Sequence, residues 1–338
     1  MAGEIFGTTE EGEEVRRIAI SGGGLTAHIL TWGAVIQDLR LAGHAPPLVL
    51  GFESFADYPA HSPHFGALAG PTANRIADAR FAIDGTAYQL DRNFLGRHNL
   101  HGGSAAFGKR NWQVADAGAD FVTLVVVSPD GEAGYPGRLE TFCTYRLAAD
   151  GALRVELRAT TDRPTLCNLA QHSYFNLDDG GATPILDHRL EIEAGTFLPV
   201  TDELIPTGKI LPVAGTVLDF RKARPIRCEE GGEQVIYDHN FCLAEARGPL
   251  RRVATVTAAR SGLRLDVATT EPGIQFYAGH KVKPPVPGLE GIRYAPWSGL
   301  CLEPQIWPDA INHEGFPSPI LRPGETYDQI SEFRFARG

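Results

Sequence analysis

A chain of 338 residues, 43% hydrophobic and 21% charged, has the apolar content to bury a substantial core and does not read as disordered. Its formal net charge of −10, with no Lys/Arg run, speaks against nucleic acid and anionic membranes as partners and leaves small neutral molecules as substrates. No stretch is long enough and apolar enough to span a bilayer. Met1 to Val15 is rich in Glu and lacks an apolar run, so no secretory signal is expected. The 5 cysteines are odd in number, widely spaced and without a C-x-x-C pair, which argues against a disulfide framework or a zinc site. With no Asn-x-Ser/Thr acceptor either, the expected location is the cytoplasm.

In chain order, strand patterns follow one another. Arg17-Ile18-Ala19-Ile20 and Leu25 to Leu30 flank Ser21-Gly22-Gly23-Gly24, a hairpin turn and not a phosphate loop, because no helix follows and no G-x-G-x-x-G is present. Phe81-Ala82-Ile83 and Thr86 to Leu90 flank Asp84-Gly85, a dipeptide suited to a two-residue hairpin. Further strands are expected at Val122 to Val127, Leu139 to Leu147, Leu153 to Thr160, Leu190 to Ile192, Leu263 to Ala268, Ile274 to Tyr277 and Phe333 to Phe335. Loops rich in Gly, Pro, Asp and Asn separate them, as at Ser128 to Gly137, Leu198 to Gly208 and Lys283 to Gly291. Helices should be few, since no convincing apolar run keeps helical period over about ten residues. An all-β fold follows, a large antiparallel β-sandwich, with residues 1–338 as one domain because β units of this kind reach such lengths.

Two stretches concentrate chemistry. Gln171-His172-Ser173-Tyr174-Phe175-Asn176-Leu177 sets an imidazole among aromatic and amide groups. In Gly299-Leu300-Cys301-Leu302-Glu303-Pro304 the residues alternate, so if Leu300 and Leu302 enter a core, Cys301 and Glu303 leave by the other face. An imidazole and a carboxylate suit proton transfer to and from a hydroxyl or hemiacetal. Asn74-Arg75, His101 in His101-Gly102-Gly103, Asp238 between aromatics and Gln275 on a strand face could grip hydroxyls. Taken singly, each is more often structural: a surface ion pair, an exposed turn His, a buried acid satisfied by the backbone. His61-x-x-His64 and His98-x-x-His101 have metal-like spacing but lie among Pro, Gly and Asn, and no metal is expected. No G-x-S-x-G elbow occurs. Asp238 with Glu303 would also fit a glycosidase, and a sugar-binding protein without turnover is a further alternative.

Together the segments resemble the aldose 1-epimerase (galactose mutarotase) family. The likeness runs through Ala73-Asn74-Arg75-Ile76, Leu100-His101-Gly102-Gly103, His172-Ser173-Tyr174-Phe175-Asn176-Leu177, Asp238-His239-Asn240-Phe241, Pro272-Gly273-Ile274-Gln275-Phe276-Tyr277 and Leu302-Glu303-Pro304-Gln305-Ile306-Trp307-Pro308, which is nearly the whole chain. The resemblance implies a large β-sandwich, His172 as general acid, Glu303 as general base, and Asn74, Arg75, His101, Asp238 and Gln275 as the hydroxyl-binding shell. It implies a free aldohexose as substrate and calls for no cofactor. Gln171 and Pro71 depart from the family's usual Asn and Arg and put sugar preference in question. In this chemistry the base takes the O1 proton while the acid protonates the ring oxygen O5, the ring opens, and rotation about C1–C2 precedes reclosure. That requires Glu303 ionised and His172 charged together, which ordinary pKa values allow at roughly pH 6 to 7 and mutual attraction should widen.

Overall fold

Asp84 and Gly85 both adopt positive φ, 49° and 80°, the twist a two-residue hairpin needs, and Arg80–Ile83 pairs antiparallel with Thr86–Gln89 around them. The same logic closes Glu14–Gly22 onto Leu25–Leu30 through Gly23 and Gly24. The computed structural model describes residues 3–62 and 64–337. Among these, one short α-helix, Asp57–His61, accompanies antiparallel sheets, as the strand patterns predict.

The largest sheet has nine strands in the order Gln113–Ala117, Phe121–Ser128, Leu139–Leu147, Ala152–Thr161, Tyr327–Arg337, Leu263–Thr269, Arg251–Thr257, Arg189–Ile192 and Arg224–Pro225. Strict alternation of burial along Phe121–Ser128 and Leu139–Leu147 puts Val122, Leu124, Leu139, Cys143 and Tyr145 into the main core. Full burial of each Val or Leu there is worth about 1.5–3 kcal/mol, which pins the register, since a slip by one residue would expose the whole set. A five-stranded sheet in the order Leu211–Pro212, Thr196–Phe197, Asp238–Cys242, Gly273–Tyr277 and Cys301–Gln305 shares that core through Phe241, Ile274, Phe276 and Leu302. A four-stranded sheet, Glu4–Thr8, Glu14–Gly22, Leu25–Leu30 and Ile36–Leu41, completes the larger sheets.

Ile36–Leu41 is absent from the sequence expectations because its polar residues are buried along with its apolar ones. The Gln37 side-chain amide donates to the Phe52 carbonyl at 2.9 Å, and Asp38 accepts from Arg40, so no polarity alternation marks the strand. The cysteines are free thiols, four of them buried, as small core residues would be. No helix among the described residues is long and apolar enough to cross a membrane.

Candidate active site

Registers across the five-stranded sheet set Asp238 opposite Tyr277 and Tyr277 opposite Cys301; in the next row Asn240 faces Gln275 and Gln275 faces Glu303. Residues two apart share a face, so one side of the sheet gathers Asp238, Gln275, Tyr277, Cys301 and Glu303 while Phe241, Ile274, Phe276 and Leu302 fill the core behind it. The alternation that buries the leucines is therefore what aims Glu303 out of the sheet. Here the other face is not solvent: Cys301 and Glu303 are both buried.

The facing wall comes from turns. Arg75–Ile76 pairs with Asn99–Leu100, and at the pair's end Asn74 and His101 both take left-handed backbone, φ 60° and 52°, ahead of Gly102. Asn accommodates that region readily, but a His there is uncommon. The turn is closed by the His101 N–H donating to the Asn74 carbonyl at 2.9 Å and the Asn74 N–H donating to His101 Nδ1 at 3.1 Å. With Nδ1 an acceptor, neutral His101 carries its proton on Nε2. His172 arrives at the end of Ala170–His172, itself paired with Ala67–Ala69.

All seven residues singled out from the sequence, Asn74, Arg75, His101, His172, Asp238, Gln275 and Glu303, line one cavity of about 190 Å³. That is below the roughly 300–1,000 Å³ of drug-sized sites, so it suits a small ligand. Arg75 and His101 are buried, not the surface ion pair or exposed turn residue of the bland readings. The cavity also takes His64, Phe94, Tyr174, Tyr277 and Lys281, which the sequence reading did not propose. Tyr174 and Tyr277 stand two residues from His172 and Gln275, so the same-face rule alone would have found them. His64 and Phe94 sit in turns with no periodic signal.

Inside the cavity, Asp238 Oδ1 accepts from Gln275 Nε2 at 2.6 Å, and Asp238 Oδ2 lies 3.7 Å from Arg75, whose guanidinium stacks over Phe94 with Cζ 4.6 Å from the ring centroid. Gln275 Oε1, Arg75 Nε and Glu303 Oε2 are buried without a hydrogen-bond partner. Leaving such groups unmet costs about 1–3 kcal/mol each, and a polyol entering the cavity can offset that. A larger hollow of about 420 Å³ beside Trp32 and Phe55 has no such orphaned groups in its lining.

His172 Nε2 and Glu303 Oε2 stand 3.6 Å apart. Burial works against the expected pairing of an imidazolium with a carboxylate. Burial, then the neighbouring His64, pulls His172 from 6.5 to about 3, while burial, then Asp238, lifts Glu303 well above its usual range against the opposing pull of Arg75. Desolvation of two nearly inaccessible groups outweighs their attraction. Both shifts favour the uncharged forms, with the exchangeable proton on the carboxyl. The proton count is the same as in the ion pair; only the proton's place differs.

Asp238→Asn and Arg75→Lys are expected to raise KM at least as much as they lower kcat, because they weaken or misalign hydrogen bonds that act on the bound sugar and leave the proton path in place. Initial-rate kinetics over a range of sugar concentrations checks this; a pure loss of kcat in both variants would contradict it.

His172, Cys301 and Glu303 place possible metal-ligand atoms within 4.8 Å of one another. Cys301 Sγ, however, lies 3.5 Å from Nδ1 and Glu303 3.6 Å from Nε2, so an ion on either ring lone pair turns away from the third ligand. The His98-x-x-His101 pair is also separated by the fold. His98 accepts from the Asp78 N–H and faces Glu203, outside this cavity, while His64 is inside it, its ring 4.6 Å from His101 and 5.5 Å from His172. Gln171 points elsewhere, its amide donating to the Gly66 carbonyl and Ser173, and the Pro71 carbonyl accepts the Asn168 N–H.

Comparison with known proteins returns the same family. The aldose 1-epimerase family model matches residues 16–334. The chain is 41% identical to galactose mutarotase of Mus musculus over 339 residues, covering 98% of this chain and 97% of that one. It is 36% identical to aldose 1-epimerase of Escherichia coli over 348 residues, 99% of each. The crystal structure of an aldose epimerase homologue from C. elegans superimposes with a TM-score of 0.88 at 30% identity, covering 96% of this chain and 99% of that one.

Proposed function

The chain belongs to the aldose 1-epimerase family, and from that premise we propose that His172 is the general acid, Glu303 the general base, and Asn74, Arg75, His101, Asp238 and Gln275 the grip on the sugar hydroxyls. The reaction is that of an isomerase interconverting the α and β anomers of free aldoses, which sets aside the glycosidase and non-catalytic readings. We take D-galactose and D-glucose as its substrates, residues 1–338 as one domain, and the cytoplasm as its location; the main core supports the domain reading, running from Ile18 to Phe335.

The observation that carries the assignment is the His172–Glu303 pair at 3.6 Å, buried in a cavity where Gln275 Oε1 and Arg75 Nε also lack a hydrogen-bond partner. A bound sugar offers O1–H to the carboxylate and O5 to the imidazolium, so the shared proton crosses from Glu303 to His172. As the C1–O5 bond breaks, Glu303 takes the O1 proton and His172 gives its own to O5, leaving an open-chain aldehyde between two neutral groups. That charge state is the one burial favours. Burial of the pair thus favours ring opening from its charged form, because the charges present before it are neutralised in the step. Rotation about C1–C2 and the reverse transfers close the other anomer.

Polarimetry on freshly dissolved D-galactose and D-glucose, in EDTA and across pH, tests the reading. Mutarotation should be accelerated after chelation. Activity ends on the acid side when the pair takes up a second proton and on the alkaline side when it loses its only one. Burial resists both, so kcat/KM should run flat through the ordinary His value of 6.5, the acid limb falling below it and the alkaline limb well above the ordinary carboxylate value of 4.5. A break centred on 6.5, or the uncatalysed rate on both sugars, would sink the proposal. An un-ionised carboxyl stretch from Glu303 persisting in the infrared spectrum of the sugar complex would reverse the two roles.

A further inference from the structure

Residues 168–175 and 300–306 run antiparallel past one another. At one end Phe175 and Leu300 exchange both backbone hydrogen bonds, the Phe175 N–H to the Leu300 carbonyl at 2.8 Å and the Leu300 N–H to the Phe175 carbonyl at 3.0 Å. Three residues inward from that bridge on each segment stand His172 and Glu303. The intervening backbone does not join them: Ala170–His172 pairs with Ala67–Ala69, and Cys301–Gln305 pairs with Gly273–Tyr277.

At the far end a side chain replaces the backbone bridge. Asn168 Oδ1 accepts the Ile306 N–H at 2.8 Å, and Asn168 Nδ2 donates to the Ile306 carbonyl at 3.0 Å. A carboxamide carries the same donor and acceptor as a peptide unit, so it satisfies both groups of Ile306 as a paired strand would. Asn168 and Ile306 are both buried, so neither faces bulk solvent. Its main chain meanwhile holds the binding turn, the Asn168 N–H donating to the Pro71 carbonyl at 2.9 Å and its carbonyl accepting from the Ala73 N–H at 2.6 Å. The two ties are separable, because replacing the side chain leaves the main-chain one in place.

We propose that Asn168 is a positioning residue for the reaction: its side-chain amide sets the gap across which His172 and Glu303 exchange their proton. It rests on the reading of those two residues as acid and base.

Asn168→Ala and Asn168→Asp test it, with folding followed by circular dichroism and activity expressed per folded molecule. In Asn168→Ala kcat should fall by about tenfold to hundredfold, the scale of a displacement near 1 Å, with KM within about threefold because the turn bearing Asn74 and Arg75 keeps its backbone tie. In Asn168→Asp the new carboxyl group reproduces both hydrogen bonds when protonated, whereas its ionised form turns an acceptor on the Ile306 carbonyl. Asn168→Asp should therefore regain kcat as pH falls within the range where the parent is flat, and at the low end of that range it is the folded reference should the Ala variant not fold. The proposal is overturned by a kcat within twofold of the parent for folded Asn168→Ala, by losses that track the unfolded fraction alone, or by a flat pH profile for Asn168→Asp. Glu303→Gln is the control: if it stays active, the acid/base reading has failed; if it is inactive while Asn168→Ala is normal, only the positioning role has.

Discussion

Glu303→Gln is expected to lower kcat by about a hundredfold or more, within the usual contribution of general acid–base catalysis, while changing KM by only a few-fold. The amide keeps the shape of the carboxyl and its place on the polar face of Cys301–Gln305 but cannot take the O1 proton. His172→Gln should behave alike, since a carboxamide cannot protonate O5. The fold should not suffer. Glu303 holds its proton far above the usual pH when folded and releases it when unfolded, so the parent loses stability as pH rises from about 4.5 toward the folded value. Glutamine has no proton to lose, and the variant's melting temperature should exceed the parent's by a margin that widens with pH over that window. A near-normal kcat for Glu303→Gln together with an inactive Asp238→Asn would move the base to Asp238.

Phe276→Ala is expected to cost about 3–5 kcal/mol, a large share of the total for a domain held by 5–15 kcal/mol, roughly. The ring is fully buried, 5.3 Å from Tyr237 and 5.6 Å from Phe220 between centroids, and it backs the strand that carries Gln275. Close packing on every side leaves little for the surroundings to collapse into, so most of the cavity persists. The melting temperature should drop by about four to seven degrees. The loss of activity should follow the folded fraction, because Phe276 and Glu303 are on opposite faces of the sheet. A drop of only a degree or two would show that the neighbouring rings close the gap.

What the sequence reveals follows from which physical signals are local. Leu139–Leu147 is legible to the residue because one face enters the core and the other does not. The same alternation points Glu303 away from Leu300 and Leu302, and the Asp84-Gly85 turn is dictated by its own backbone preferences. Ile36–Leu41 is hidden because its polar side chains are buried together with its apolar ones. Asn74 and His101 acquire meaning only once their left-handed turn is closed between them; before that, resemblance to a family is what singles them out. The charge state of His172 and Glu303 is the least legible feature. A pKa read from residue type presumes full solvation, and here segments far apart in the chain bury both groups.

With His172 and Glu303 acting as proposed, the pair holds one mobile proton at every stage of the cycle. Bulk solvent is then a spectator: it neither supplies nor collects a proton between one turnover and the next, and a sugar arriving as either anomer finds the pair ready. Between the acid and alkaline limbs, hydronium and hydroxide drop out of the rate law.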